Sequence, residues 1–244
     1  MNNCTLKQYI DASLKNEFTK MKVLSETDYA SLTVYKHNST ENKIVLVSSR
    51  VRNDHIYRAL KNVNCKYLPK IFDICSCDKA LYVLEEFIDG KPLSSIMGEG
   101  LIAVPSACKY ICNVCDALLQ LHSQKIIHRD VKPSNILITP DDNAVLIDFN
   151  IARLMSDGKC NDTANLGTVG YAAPEQFGIY QSNTTTDIYP LGVILNEMIL
   201  GVHPTIEVAK GRIGKIINRC ITTQMSKRFQ SITELKKELK RYIK

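Results

Sequence analysis

Residues 126–151 read IIHRDVKPSNILITPDDNAVLIDFNI, and this stretch decides the fold. Two short β-like runs, Ile136–Thr139 and Ala144–Ile147, flank the turn residues Pro-Asp-Asp-Asn, so the pattern predicts a hairpin. A hairpin brings its open ends together. Asn135 stands just before the first run and Asp148 just after the second, so we expect these two side chains to be neighbours.

Two further polar residues, Asp130 and Lys132, lie on the loop that enters the same end of the hairpin. A carboxylate beside a neutral amide oxygen suits Mg²⁺, which takes few protein ligands and completes its shell with phosphates and water. A second carboxylate can accept a hydroxyl proton, and a lysine can neutralise a transferring phosphoryl group. This combination of residue types favours phosphoryl transfer.

The order of the motifs resembles that of the protein kinases. HRDVKPSN at 128–135, followed by Asp148-Phe149, is similar to their catalytic loop and metal-binding motif. Ala-Pro-Glu at 173–175 resembles the A-P-E motif, and 187–192 resembles the D-x-W-x-x-G segment with Tyr in place of Trp. Arg228 stands where the family has an arginine that pairs with the A-P-E glutamate. The sequences of these motifs are most similar to those of bacterial serine/threonine kinases.

The resemblance implies a role for each residue of this stretch. Asp130 would orient or accept the substrate hydroxyl proton, and Lys132 would contact the γ-phosphate of ATP. Asn135 and Asp148 would hold Mg²⁺ and contribute to binding ATP. A lysine two residues after the aspartate is typical of the serine/threonine branch, in which Thr168 would hydrogen-bond near Asp130 and Lys132.

The residue beside the catalytic aspartate, Arg129, has a further implication. In the family such an arginine meets a phosphorylated residue of the activation segment. Thr163 is the first candidate for that modification and Ser156 the second. An unmodified polar loop is the alternative interpretation.

The resemblance implies an α+β fold with two lobes. We expect a small β-rich N-terminal lobe over residues 1–88 and a larger helical lobe over 89–244. Periodicity predicts the elements within them. Helices are expected over 5–18, 54–62 and Val104–His122, and strands at Val23–Leu24, Leu32–Lys36, Ile44–Val47, Ile71–Cys75 and Ala80–Glu85.

The glycines are distributed unevenly, since the first of the 11 is Gly90. A kinase N-terminal lobe usually covers the phosphates with G-x-G-x-x-G-x-V, because glycine lets backbone N–H groups approach them closely. Alignment on Val-Tyr-Lys at 34–36 places Thr27, Tyr29 and Leu32 at the three glycine positions. The usual glycine of D-F-G is also replaced, by Asn150, and asparagine tolerates a positive φ.

The strand lysine of the family is missing as well. Placing Ile-Val-Leu-Val at 44–47 on the V-A-I-K motif puts Val47 at the lysine, and a shift by one residue puts Ser48 there. Arg50 is the nearest basic residue. The helix that should carry the partner glutamate offers only Asp54. The loss of both charges together is physically reasonable, because a single buried charge without its partner lowers the stability of the fold.

The segment that should join the lobes carries an unusual carboxylate. Alignment puts Glu85 at the position behind the adenine, and Glu86 and Ile88 on the hinge that would bind ATP. A carboxylate at the position of Glu85 needs a cation or a hydrogen bond. Lys36 and Arg50 are the candidates for that cation.

Composition excludes several classes of protein. The chain has 244 residues, is 45% hydrophobic and carries a net charge of +6, which is typical of a globular domain. Its C-terminal lysines favour a solvated helix face over a nucleic-acid surface, so no nucleic acid is expected as a partner. No apolar run is long enough to span a membrane. Nine cysteines without a signal peptide favour reduced thiols and a cytoplasmic location. Cys108, Cys112 and Cys115 recur at helical spacing within an apolar stripe, which favours buried packing thiols over a zinc site.

The function expected from these residues is transfer of the ATP γ-phosphate to Ser or Thr hydroxyls of a protein substrate. The alternative is a pseudokinase, a scaffold or nucleotide-sensing module with little or no turnover. A small-molecule phosphotransferase of similar fold is a third hypothesis for the function, but Lys132 and the A-P-E segment disfavour it. The identity of the substrate and the oligomeric state do not follow from the sequence.

Overall fold

The computed structural model describes residues 11–50, 53–77, 80–155, 167–177 and 181–243. They form two compact units. The first unit holds the described residues up to Asn64 and Pro69–Ile88. The second holds Cys65–Leu68 and the described residues from Asp89 onward.

The first unit is a five-stranded antiparallel sheet with two helices. The strand order is β1-β2-β3-β5-β4, and every pair of neighbours is antiparallel. The predicted strands and the helix near residue 54 are confirmed. The elements are α1 (11–17 in the described part), β1 (Phe18–Glu26), β2 (Ala30–His37), β3 (Lys43–Ser49), α2 (Asp54–Leu60), β4 (Ile71–Cys77) and β5 (Ala80–Glu86).

The central strand β3 shows how this sheet forms its core. Its side chains alternate between the two faces of the sheet. Val45 and Val47 are buried on one face. Ile44 and Leu46, on the other face, pack against a buried cluster that includes Leu14 of α1. Alternating apolar residues therefore give the sheet an apolar surface on both faces.

The second unit is mainly helical, with two small antiparallel sheets in the orders β6-β8-β9 and β10-β7. The predicted helix beginning at Val104 is confirmed. The strands are β6 (Lys91–Pro92), β7 (Ile126–Ile127), β8 (Ile136–Ile138), β9 (Ala144–Leu146) and β10 (Arg153–Leu154), and the helices are α3 (Leu93–Glu99), α4 (Val104–Ser123), α5 (Ile188–Leu200), α6 (Gly211–Ile221) and α7 (Ile232–Leu239). Short 3-10 turns cover Pro133–Asn135, Pro174–Phe177, Met225–Lys227 and Lys240–Tyr242.

Close helix packing forms the core of the second unit. Helix α4 contacts α5, α7 and β9, and α5 packs along α6. Gly192 of α5 lies at the tightest approach, because a Cβ built there would be 2.5 Å from the Cβ of Cys220 on α6. Glycine at this position therefore lets the two helices meet.

The cysteines of α4 fill this core, as their helical spacing predicts. Cys108, Cys112 and Cys115 are buried. Burial raises the pKa of Cys108 to about 12 and that of Cys112 to about 11, so both thiols stay protonated near neutral pH. The predicted packing role of these side chains is confirmed.

The basic residues near the C-terminus lie on a largely solvated surface. Lys236 pairs with Asp116, and Arg241 pairs with Glu238. Lys240 is exposed. Among the described residues, none of the helices is long and apolar enough to cross a membrane.

Candidate active site

The β8–β9 hairpin brings the predicted site residues to one end of the small sheet. Ile136 lies opposite Leu146 in the antiparallel register. Just beyond this pair, the backbone N–H of Ile147 donates to the carbonyl oxygen of Asn135 at 2.9 Å. The predicted hairpin is confirmed, and Asn135 and Asp148 lie at its open end.

Asp130 is the centre of a polar cluster at this end. Thr168 Oγ1 donates to one carboxylate oxygen of Asp130 at 2.7 Å, and Lys132 Nζ lies 2.7 Å from the other. Lys132 Nζ also donates to Thr168 Oγ1 at 2.9 Å. The predicted contact of Thr168 with both residues is confirmed. Side-chain exposure is 13% for Asp130 and 22% for Lys132, so the pair is sheltered but still reachable from solvent.

Asn135 is held against the same carboxylate by the turn that contains it. Its Nδ2 donates to the backbone oxygen of Asp130 at 2.9 Å and to Oδ2 of Asp130 at 3.0 Å. Because the amide nitrogen faces Asp130, the amide oxygen faces away from it and stays available as an acceptor.

Asp148 supplies the second oxygen donor. It has a φ of 70°, and its Oδ1 accepts the backbone N–H of Asn150 at 3.1 Å. One amide oxygen and one carboxylate, from the two ends of a single hairpin, are the oxygen donors that Mg²⁺ takes with few protein ligands. Asn135 and Asp148 therefore fit the metal that the sequence predicts.

A buried carboxylate fixes the backbone of the catalytic loop. Asp187 is fully buried and accepts the backbone N–H groups of His128 and Arg129 at 3.0 and 2.9 Å, together with Nε2 of His122 at 2.8 Å. Burial alone would raise the pKa of Asp187, but the hydrogen bond and charge of His122, the charge of His128 and the N–H of Arg129 together lower that pKa. Asp187 therefore anchors the backbone at His128 and Arg129.

This anchor holds Arg129 in a left-handed conformation, with a φ of 70°. A non-glycine residue in that region stores strain, which persists where surrounding contacts determine the backbone. Gln176 provides one more such contact, since its Nε2 donates to the carbonyl oxygen of Arg129 at 2.8 Å. Sequence analysis missed this residue, and its position directly after the A-P-E glutamate was the available signal.

The residue in place of the D-F-G glycine does not have a positive φ. Asp148 and Arg129 have one, and Asn150 does not. The tolerance of asparagine for that conformation is therefore not used at this position. The turn is made at Asp148, whose carboxylate binds the N–H of Asn150. Phe149 is buried, and its ring lies 5.6 Å from that of His128 in an edge-on arrangement.

A buried ion pair secures the segment that follows Thr168. Arg228 donates from Nη1 and Nη2 to the two carboxylate oxygens of Glu175, at 2.7 and 2.8 Å. Both side chains are at most 1% exposed. Arg228 also donates to the carbonyl oxygens of Thr222 and Thr185. The predicted pairing is confirmed with bidentate geometry, which is the strong form of this contact.

Comparison with known proteins agrees with this arrangement. A family model for the protein kinase domain matches residues 17–244. The chain belongs to the protein kinase family. Its antiparallel N-terminal sheet and helical second unit are those of the α+β kinase fold.

Bacterial serine/threonine kinases are among the relatives of this kinase domain. A probable serine/threonine-protein kinase of Clostridium acetobutylicum is 28% identical over 236 residues, which cover 86% of this chain and 35% of the relative. Serine/threonine-protein kinase PknE of Mycobacterium tuberculosis is 32% identical over 186 residues, 72% of this chain and 33% of the relative. The chain thus spans about a third of the length of these relatives.

The alignment made on the sequence assigns the turn between β1 and β2 to the glycine-rich loop of kinases. Thr27 and Tyr29 lie on this turn, while Leu32 lies within β2. Thr27 Oγ1 accepts the N–H groups of Tyr29 and Ala30 at 3.3 and 3.1 Å, and the Thr27 N–H donates to the carbonyl oxygen of Ala30 at 2.8 Å. Three backbone N–H groups of the turn are therefore occupied by local hydrogen bonds.

Neither residue that the alignment offers for the kinase lysine is basic. Val47 is 3% exposed and lies between Leu32 of β2 and Val83 of β5 in the sheet register. Ser48, the alternative, is half-buried and lies between Ser31 and Tyr82. The acid predicted in the following helix, Asp54, forms an i,i+4 pair with Arg58 at 3.4 Å. Neither partner of the usual lysine–glutamate pair is present at these positions.

The predicted hinge residues lie at the end of the first unit. Glu86 accepts the backbone N–H of Lys70 at 3.1 Å and donates its own N–H to the carbonyl oxygen of Lys70 at 2.9 Å. Ile88 is half-buried. Lys36, expected as a cation for Glu85, pairs with Glu41 at 2.6 Å.

The remaining expectations concern the activation segment and the other cation. Arg50 is exposed and donates its backbone N–H to Tyr29. Thr163 and Ser156, the predicted phosphorylation sites, lie outside the described residues.

Proposed function

We propose that this chain is an active serine/threonine kinase that transfers the γ-phosphate of ATP to Ser or Thr hydroxyls of protein substrates. The cluster of Asp130, Lys132 and Thr168 carries the proposal, since it holds a carboxylate and an ammonium on one bridging hydroxyl. A bridging threonine after the catalytic lysine accords with the serine/threonine character of the relatives.

In the proposed reaction, Asp130 accepts the proton of the substrate hydroxyl. The hydroxyl oxygen forms a new bond to the γ-phosphorus, the bond from that phosphorus to the bridging oxygen breaks, and ADP leaves. The Lys132 ammonium offsets negative charge on the transferring group. Thr168 keeps the side chains of Asp130 and Lys132 in position during the transfer.

The proposal assigns the metal to Asn135 and Asp148, and the nucleotide to these two residues with Glu86 and Ile88. Bound Mg²⁺ would neutralise charge on the phosphates. Asn135 also links the two tasks, because its amide nitrogen holds Asp130 while its oxygen is left for the cation.

A specific observation favours a second candidate, a pseudokinase that binds nucleotide with little or no transfer. Val47 is a buried valine at the position of the lysine that normally grips the phosphates. The N–H groups of the 27–30 turn are also used locally rather than left free.

Phosphotransfer by three variants separates the two candidates. Purified protein is incubated with labelled Mg-ATP, alone and with a generic protein substrate. Asp130→Asn and Asp148→Ala are each expected to lose activity, by about 10²–10⁴-fold for Asp130→Asn. Asp141→Asn, which removes an exposed carboxylate from the hairpin turn, is the control and should retain it.

The alternative outcomes are distinct. Transfer that survives in Asp130→Asn contradicts the proposed role of that carboxylate. An ATP-dependent rise in melting temperature without any transfer supports the pseudokinase. An outcome with no transfer and no thermal shift contradicts both candidates.

A further inference from the structure

A cavity of about 350 Å³ lies in the second unit, between α6 and the C-terminal 3-10 turn. It shares no lining residue with the Asp130 cluster. The side chains of Arg212, Lys215, Ile216 and Arg219 line it from α6. Their spacing of three, four and seven residues places them on one face of the helix.

The charge of the cavity is unbalanced. Arg219 pairs with Glu234 at 2.7 Å, and Arg241, on the opposite wall, pairs with Glu238 at 2.5 Å. Arg212 and Lys215 form no ion pair within the described part of the chain, and both are exposed. Two positive charges about one helical turn apart are therefore left uncompensated.

The first turn of α6 increases this imbalance. It contains no acidic residue and carries Arg212. A cation near a helix N-terminus is opposed by the helix dipole, whereas an anion there is stabilised by it. A bound anion beside Arg212 would satisfy both the side chain and the helix.

The rest of the lining is partly apolar, beside the charged pair of Glu238 and Arg241. Phe229 is 2% exposed, and the guanidinium of Arg219 lies 4.1 Å from the centre of its ring. Ile216, which is 7% exposed, and the half-buried Tyr242 complete the apolar part. An aromatic ring, a stacked guanidinium and an aliphatic side chain offer contact to a flat organic group, which an inorganic anion would not use.

We propose that this cavity binds the phosphate monoester of an organic molecule that carries a flat apolar group. A phosphate monoester has a charge of about −1.5 to −2 at neutral pH, which matches the two uncompensated cations. The fork of Arg212 can bind two phosphate oxygens at once, and Lys215 adds a point charge. The organic group would then contact Phe229, Ile216 and Tyr242. This binding site is additional to the proposed phosphotransfer.

Isothermal titration with phenyl phosphate, at about 0.15 M salt to screen weak surface attraction, tests the proposal. We expect saturable binding, with inorganic phosphate at least about tenfold weaker because it leaves the apolar walls unused. The variant Arg212→Gln/Lys215→Gln should weaken phenyl phosphate binding by about tenfold or more. Melting temperatures check that each variant is folded.

A charge-matched control separates a built site from general attraction to a basic protein. Lys227→Gln/Lys237→Gln removes two exposed lysines that do not line the cavity, and it should leave the affinity within about twofold. Equal weakening in the two double variants overturns the proposal. So does unchanged binding in Arg212→Gln/Lys215→Gln, equal affinity for inorganic phosphate, or no saturable binding of phenyl phosphate.

A second arm identifies the source of the monoester. A short peptide containing phosphotyrosine is compared with phenyl phosphate on the same protein. Tighter binding of the peptide, lost in Arg212→Gln/Lys215→Gln, assigns the site to phosphorylated protein segments. Tighter binding of phenyl phosphate, lost in the same variant, assigns it to free small molecules.

Discussion

The catalytic loop of the second unit and the β1–β2 hairpin of the first are stabilised in opposite ways. The loop at 128–135 is held by partners distant in the chain, with Thr168 lying 38 residues from Asp130 and Asp187 lying 59 residues from His128. The hairpin turn is held mainly by hydrogen bonds within 27–30, with one further bond from the N–H of Arg50 to the carbonyl oxygen of Tyr29. Its first strand is exposed over eight of its nine residues.

This difference indicates where each region tolerates change. Long-range partners in a buried region must be kept together, because a lost partner leaves a desolvated polar group. Local hydrogen bonds at an exposed turn can be replaced by water. We therefore expect substitutions to have large effects near the catalytic loop and small effects at the hairpin.

The largest effect is expected from breaking the buried ion pair of the second unit. Arg228→Ala leaves the carboxylate of Glu175 buried without its cation, which should lower the free energy of unfolding by about 3–5 kcal/mol. Urea denaturation measures the change. As a control, Arg241→Ala removes an exposed ion pair with Glu238 and should cost less than about 1 kcal/mol. Similar losses in the two variants would contradict the contrast between buried and exposed pairs.

Placing a charge in the core of the first unit tests whether the surroundings of Val47 are apolar and hold no partner for a cation. Val47→Lys puts an ammonium between Leu32 and Val83, and we expect a loss of about 3 kcal/mol in the free energy of unfolding. Val47→Met is the uncharged control and should cost about 1 kcal/mol. Unchanged stability in Val47→Lys would mean that a carboxylate does reach this position.

The third prediction concerns the hydroxyl that bridges the catalytic pair. Thr168→Val removes hydrogen bonds to Asp130 and Lys132 but keeps the shape of the side chain. If the chain is an active kinase, kcat should fall by about tenfold, equivalent to about 1.4 kcal/mol. Thr168→Ser keeps the hydroxyl and should restore most of the activity. A steady-state phosphotransfer assay measures both variants, and equal activity of the two contradicts the prediction.

The smallest effect is expected at the hairpin turn. Thr27→Ala removes the side-chain acceptor for the N–H groups of Tyr29 and Ala30. The cost should be about 0.5–1 kcal/mol, with faster amide hydrogen exchange at Tyr29 and Ala30. Thr27→Ser keeps the acceptor and serves as the control. A loss as large as that of Arg228→Ala would show that this turn is not locally stabilised.

Much of the fold follows from local patterns in the chain. Apolar alternation predicted the strands of the first unit, and helical periodicity predicted α4 with its buried cysteines. The spacing of 126–151 predicted the hairpin and the closeness of its open ends. These features depend on neighbours in the sequence, so a pattern of residue types is sufficient to predict them.

Two of the exceptions involve contacts between distant segments. The place of Gln176 after the A-P-E glutamate was the one signal for its contact with the backbone of Arg129, and nothing in the local sequence indicated that His122 contacts Asp187. The positive φ values of this region lie at Asp148 and Arg129, and no local pattern placed them there. Lys36 of β2, considered as a partner of Glu85, pairs with Glu41, which follows the same strand.

The sequence by itself determined which side chains are available for the proposed phosphoryl transfer, because Asp130, Lys132, Asn135 and Asp148 are particular residues at particular spacings. It also determined what is missing, since no residue before Gly90 is a glycine. Only the tertiary structure decided how the polar groups are satisfied. A buried donor or acceptor binds whatever partner the packing brings near, and helix packing determines that partner across many residues of intervening chain.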